Sequence, residues 1–311
     1  MRSTIARRNL AWLAAVLLLA TTAGAQVPGD DKVLIGDFAW EQALLKERAD
    51  KDVEFKTATT SPMAGRERLT IAGTAAPFHV IRDGRVVDPA AAGEGPAFAV
   101  MLKDGKWYWS SASGVACRRD GRPVAQESEA LAQGDLFAAG RLTLGAYPGP
   151  GLLALIVFDP QRPQVVHFEH LLYYPPDRRY AVPAKLERFP EMRPLKITTT
   201  RKLEKTFYRY GKLRFRVDGK ELELTALKAS LEGADAKYLF VPFKDDTNGG
   251  ETYEVGRFID LEEPEGDEVL LDFNRCYNPL CNYSPAYNCP LPPLENFLEI
   301  EIRAGEKAYP H

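Results

Sequence analysis

Residues 213–229 read LRFRVDGKELELTALKA, and this stretch sets the fold class. Leu213, Phe215 and Val217 alternate with Arg214 and Arg216, the period of two that turns one strand face to a core and the other to water. Asp218-Gly219 follows at once, and residues 222–229 supply a return strand. Asp-Gly between β-prone runs signals a two-residue hairpin, because both central residues of a type I′ turn need positive φ.

The same grammar recurs upstream. Phe78, Val80 and Ile81 precede Asp83-Gly84. Residues 98–102 precede Asp104-Gly105, with Trp107, Tyr108 and Trp109 beyond it, and Cys117 precedes Asp120-Gly121. Turns this close together predict a small antiparallel, β-sandwich-like domain over residues 69–160, closed by strands near 142–144 and 152–158. A second antiparallel β domain, barrel or sandwich, is expected over 161–311. Its strands are predicted at 185–188, 195–200, 213–217, 222–229, 238–243, 256–261 and 269–273, with a closing strand at 297–302. Residues 37–55 carry Trp40, Leu44 and Leu45 at helical spacing behind a possible cap, Asp37, so a short N-terminal helix and linker are assigned to 37–68. The chain is thus read as mainly β.

The first 25 residues follow a different plan. Arg2, Arg7 and Arg8 precede an apolar run over 10–20, and Ala23-Gly24-Ala25 offers a cleavage site for a secretory signal peptide. The run is shorter than the roughly 20 apolar residues of an ordinary membrane span. Removing those three arginines takes the formal net charge from −3 to −6. An acidic balance disfavours nucleic acid as a partner, since phosphate binding needs clustered Lys and Arg. The expectation is a protein exported to the periplasm or beyond, with no membrane span after cleavage.

Residues 274–296, NRCYNPLCNYSPAYNCPLPPLEN, hold three Cys, five Pro and five Asn. Such a Cys/Pro/Asn-rich stretch cannot be regular strand or helix, so it is read as a long loop, either functional or stapled down. With Cys117, the chain has four cysteines. Export favours disulfides, and Cys281 with Cys289 is the nearest candidate pair. Spacings of C-x4-C and C-x7-C are unlike zinc ribbons. His167 and His170, three apart, would point to opposite faces of a strand. No metal site and no cofactor are assigned.

Two segments carry a family resemblance. The first runs Tyr238, Leu239, Phe240, Val241, Pro242, Phe243, Lys244, Asp245, then Thr247, Gly249, Glu251, Thr252, Tyr253, Gly256 and Arg257. The second contains Leu271, Asp272, Phe273, Asn274, Tyr277, Asn278, Pro279, Cys281, Tyr283, Cys289, Pro290, Glu295, Asn296, Ala304, Gly305 and Glu306. Together with Trp40, Arg48, Asp50, Phe55, Ser61 and Pro62, the chain resembles domain-of-unknown-function family 1684. Cys276 stands where that family commonly has Ala. Residues 134–142 are also similar to part of a forkhead-associated sandwich, but lack that family's phosphothreonine-holding Ser and Asn-His elements. The resemblance implies a fold and a region of interest, not an activity.

Standard catalytic signatures are missing: there is no G-x-S-x-G, P-loop or H-E-x-x-H. The richest polar-aromatic set is Tyr253, Arg257, Asn274, Tyr277, Asn278, Tyr283, Glu295 and Asn296. One reading makes it a ligand pocket, with Arg257 on an anionic group and tyrosines as walls. The other spends the same side chains on satisfying the backbone of a Pro-rich loop. The first-choice function is a non-catalytic protein that binds a small molecule or an envelope component. The alternative is a hydrolase-like enzyme using Glu295, Arg257 and neighbouring asparagines. For export itself the expectation is specific: N-terminal sequencing of the secreted protein should begin at Gln26, and a sequence beginning at Met1 would contradict it.

Overall fold

The computed structural model describes residues 29–73, 78–91 and 93–310. The signal segment 1–25 lies outside them. Helix α1 (Gly29–Thr57) begins earlier than the sequence pattern suggests. It ends where the Ser61 hydroxyl donates to the Phe55 carbonyl at 2.5 Å and accepts from Met63 N at 3.1 Å. The chain divides into two compact units, one holding Phe55–Glu169 and Tyr283–Asn288, the other the remainder.

The first unit is a two-sheet antiparallel sandwich. One sheet has the order β1 (Gly65–Ala72), β10 (Leu152–Phe158), β9 (Leu142–Gly149), β8 (Asp135–Ala139), β6 (Ala116–Arg119) and β7 (Arg122–Pro123). The other runs β3 (Arg85–Val87), β2 (Phe78–Arg82), β4 (Ala97–Lys103) and β5 (Lys106–Ser113). Ile81, Phe98, Trp107 and Trp109 from the smaller sheet share one core with Phe137, Leu144, Leu153 and Leu155 from the larger. Phe98 stacks on Phe137 at 4.3 Å, and Trp109 meets the same ring edge-on at 5.5 Å. The tryptophans therefore pack the interior.

The second unit is built on a curled sheet of order β15 (Arg257–Glu262), β14 (Tyr238–Asp245), β13 (Lys220–Lys228), β12 (Glu204–Val217), β11 (Ala181–Thr198) and β16 (Glu268–Asp272). Its strands are antiparallel except for β17 (Phe297–Leu298), which adds in parallel to β14. Both edge strands feed one core: Ile259 of β15 and Leu271 of β16 join Leu186, Leu213, Phe215, Leu224, Ala226, Val241 and Phe243. A sheet whose two edges share a core has curled towards a barrel. Phe240 lies between Leu239 and Val241 yet joins Ile197, Phe207, Leu227 and Phe258 in a second cluster, as the strand period requires.

Two expected strands, 185–188 and 195–200, are parts of the single strand β11, which is irregular between Arg188 and Arg193. The strand expected at 297–302 shortens to Phe297–Leu298, and the Ile302 carbonyl accepts from the Arg257 side chain.

The Asp-Gly hairpins have the geometry their sequence requires. Asp83, Asp104, Asp120 and Asp218 have φ of 47, 50, 49 and 49°, and each following glycine is also positive. At Gly219, φ is +79° and a Cβ would meet nothing within 4 Å. Gly219→Ala should therefore report the backbone conformation alone, costing about 1–2 kcal/mol in chemical denaturation.

Candidate functional site

Arg257, one of the predicted set, is fully buried. It opens β15, and its guanidinium donates to Asp245 Oδ2 at 2.6 Å, to the Ile302 carbonyl at 2.7 Å and to the Ala304 carbonyl at 2.5 Å. It also lies over the Phe243 ring at 5.4 Å. Asp245 in turn accepts from Thr247 N at 2.9 Å, Thr247 Oγ1 at 2.5 Å and Ile302 N at 3.3 Å. Both partners of this ion pair have fully buried side chains. Arg257 thus clamps the C-terminal segment onto β14 and β15.

Glu295 has a different partner. Arg209 of β12 meets it through two bonds of 3.0 and 2.9 Å at a half-exposed surface. This pairing holds the Glu295 carboxyl below its ordinary range. The neighbouring Asn296 is buried and spans two strands: it accepts from Thr225 N at 2.7 Å and donates to the Thr225 and Pro242 carbonyls at 2.9 and 2.7 Å. Asn274 donates to the Asp177 carbonyl at 2.8 Å and accepts from Asp177 N at 2.9 Å. Tyr277 donates to Asp260 Oδ2 at 2.8 Å. Tyr283 belongs to the first unit, where it meets Phe55 edge-on at 5.0 Å.

Arg257 and Asn278 do converge on one segment. Asn278 N donates to Glu306 Oε2 at 2.8 Å and Asn278 Nδ2 to the Lys307 carbonyl at 2.8 Å, while Arg257 reaches the Glu306 carbonyl at 3.4 Å. Gly305 lets this segment pass, since a Cβ there would meet Cys276 Sγ at 2.3 Å. Around Glu306 lies a polar centre that local patterns do not reveal. Arg48, Lys51 and Asp52 of α1, spaced three and four apart, share one helix face. Lys51 pairs with Glu306, Arg48 donates to the Tyr174 carbonyl at 2.9 Å and covers the Tyr173 ring at 4.4 Å, and Asp52 accepts from Leu171 N at 2.8 Å. Burial pushes the Tyr173 hydroxyl and the Asp52 carboxyl up. Asn278 Oδ1 is buried and has no partner among the described residues. The sequence clues were Arg48, Asn278 and the Ala304-Gly305-Glu306 tripeptide, each in a segment carrying the family resemblance.

The cysteines are free, so the expected Cys281–Cys289 disulfide is absent here. The two are nevertheless neighbours: Cys281 N donates to Cys289 Sγ at 3.2 Å. The Cys289 thiol bonds to Cys281 and, with the Tyr253 and Thr200 hydroxyls, holds the Cys281 thiol below its ordinary value against the effect of burial. Among the described residues no group of three or more His, Cys, Asp or Glu is arranged to hold a metal.

A groove of about 870 Å³ lies on the second unit, lined by residues including Ala184, Lys185, Arg214, Phe215, Leu222 and Glu268. None of the candidate site residues read from sequence lines it. Pro183, Ala184, Phe215 and Leu222 make its apolar part, and the charged side chains around them carry both signs.

Residues 166–307 match the model of a protein family of unknown function, DUF1684. A solution structure of an uncharacterised protein from Haloarcula marismortui is 34% identical, over 47% of this chain and 80% of that one, with a TM-score of 0.40. Over residues 166–307 the chain belongs to the DUF1684 family. No curated protein matches it.

Removing either partner of the Arg257–Asp245 pair leaves a buried charge alone. Arg257→Ala should lose about 3–5 kcal/mol in denaturant unfolding. Glu295→Gln, at a half-exposed pair, should lose no more than about 1 kcal/mol.

Proposed function

We propose that the chain is an exported, non-catalytic protein that binds a small amphipathic molecule or envelope component in the groove of its DUF1684 domain. The observation that carries this reading is the groove itself. Its volume, about 870 Å³, falls in the range of small-molecule sites, roughly 300–1,000 Å³. Pro183 and the half-buried Leu222 offer apolar surface, with Ala184 and Phe215 of the core beneath them. Lys185, Arg214 and Arg216 stand among Glu221, Glu223, Asp267 and Glu268, a mixture suited to a zwitterionic or neutral polar head rather than a polyanion.

The hydrolase-like alternative would need Glu295 as a free base near Arg257. Glu295 is engaged by Arg209 and Arg257 by Asp245, which favours binding. No helix among the described residues is long and apolar enough to cross a membrane. Export of a soluble form after signal cleavage is part of the proposal, as is oxidation of the neighbouring Cys281 and Cys289 in an oxidising compartment.

Native mass spectrometry of protein recovered from the exported fraction should reveal a retained molecule. Leu222→Trp, which fills the groove, should release it while the thermal melt stays cooperative. Retention by Leu222→Trp together with loss in Asn278→Ala would move the site to the Glu306 centre. A ligand-free wild type would count against binding altogether.

A further inference from the structure

We propose that Cys281 and Cys289 form a thiol–disulfide exchange site, with Cys281 as the attacking sulfur and Cys289 as the resolving one. The geometry is a built dithiol. Cys281 is partly exposed, whereas Cys289 is buried behind it. Cys289 is fixed against the end of β11: its N–H donates to Thr200 Oγ1 at 3.1 Å and its carbonyl accepts from Thr200 N at 2.9 Å. Cys281 N donates to Cys289 Sγ at 3.2 Å, and the Cys289 thiol with the Tyr253 and Thr200 hydroxyls favours the charged form of Cys281. Such an arrangement stabilises a thiolate, the form of cysteine that attacks. The other two cysteines contrast with it: burial pushes Cys117 up to about 12 and Cys276 up to about 11, values that keep them as inert thiols.

The chemistry balances with a disulfide of another molecule as the co-reactant. The Cys281 thiolate attacks one sulfur of R–S–S–R′, forming a mixed disulfide as the old S–S bond breaks. The departing R′ thiolate takes the proton of Cys289. The Cys289 thiolate then attacks Cys281 Sγ, closing the internal bond and releasing the R thiolate. Two electrons pass from the pair to the partner disulfide, and the reverse sequence donates the bond. Exchange is favoured when the more accessible member of a close pair has the larger thiolate fraction. The site is separate from the groove and does not depend on what the groove binds.

The test uses the mature chain, reduced and then equilibrated at graded ratios of reduced to oxidised glutathione, acid-quenched, alkylated and mapped by mass spectrometry. Cys281 and Cys289 should oxidise together and reversibly while the protein remains folded. Cys289→Ser should accumulate a mixed disulfide at Cys281, and Cys281→Ser should accumulate none at Cys289. Trapping with glutathione alone would identify a low-molecular-weight partner; trapping also with disulfide-linked insulin would identify a protein one. Alkylation of Cys281 against pH should inflect below the ordinary thiol value of about 8.5, and Tyr253→Phe, checked for folding by circular dichroism, should move the inflection up. A bond that glutathione reduces only on unfolding would make the pair a structural staple and overturn the proposal. An inflection at or above the ordinary value, or stoichiometric zinc on the reduced protein, would overturn it too.

Discussion

The buried ion pair between Arg257 and Asp245 is the constraint around which the second unit is arranged. A guanidinium taken wholly out of water needs its charge matched and most of its N–H groups bonded to offset desolvation; only Nε of Arg257 lacks a partner among the described residues. Here one carboxylate supplies the charge and the Ile302 and Ala304 carbonyls supply further acceptors. The irregular C-terminal segment therefore needs no strand partner at those positions. It continues past Gly305 with Glu306 N donating to the Cys276 carbonyl at 3.1 Å, while Tyr174 N donates to the Gly305 carbonyl at 2.9 Å. One side chain thus allows a non-ladder segment to be buried beside a barrel-like sheet.

The Pro/Asn-rich loop follows the same accounting. Backbone that cannot join a ladder must bond to side chains. Asn296 bridges β13 and β14, Asn274 holds both the N–H and the carbonyl of Asp177, and Asn278 binds the carbonyl of Lys307. Asn serves because one planar amide offers both an acceptor and donors. These residues drew attention as a ligand pocket through their chemistry, and most of that chemistry is directed at the chain's own backbone. The groove draws instead on ordinary strand positions such as Ala184 and Phe215, whose residue types carry no special signal.

What could be read from sequence was local. Asp-Gly turns and the alternation around Phe215 depend on neighbours a few residues apart, so β2–β5, β12 and β13 were legible in kind. Joining residues 185–188 and 195–200 into one strand was not, because Pro190 and Pro194 look like breaks and the irregularity that accommodates them is set by pairing with β12. The partners of charged residues were least legible. Asp245 and Arg257 both stood in a recognised segment, and Glu295 was read with Arg257 as part of one candidate site. Only the fold assigns Glu295 to Arg209, across 86 residues of chain. Lys51 and Glu306, 255 residues apart, carried no local pattern linking them.

The helix shows why charge alone misleads in such a reading. By pattern α1 is an amphipathic helix anchored by Trp40, Leu44 and Leu45; Leu44 is buried, but Leu45 is exposed. Yet Trp40 donates to Asp272 at 2.9 Å, Arg275 bonds Glu47 at 2.9 and 3.1 Å, and Arg48, Lys51 and Asp52 all face partners in the same unit. A polar docking face contributes less net stability than an apolar one of equal area, because each charge gives up hydration before it gains a partner. Its strength lies in selectivity: a helix shifted along its axis would leave those charges unpaired, whereas a greasy face would tolerate the shift. The register of α1 is therefore fixed by electrostatic matching, and with it the position of Lys51 over Glu306.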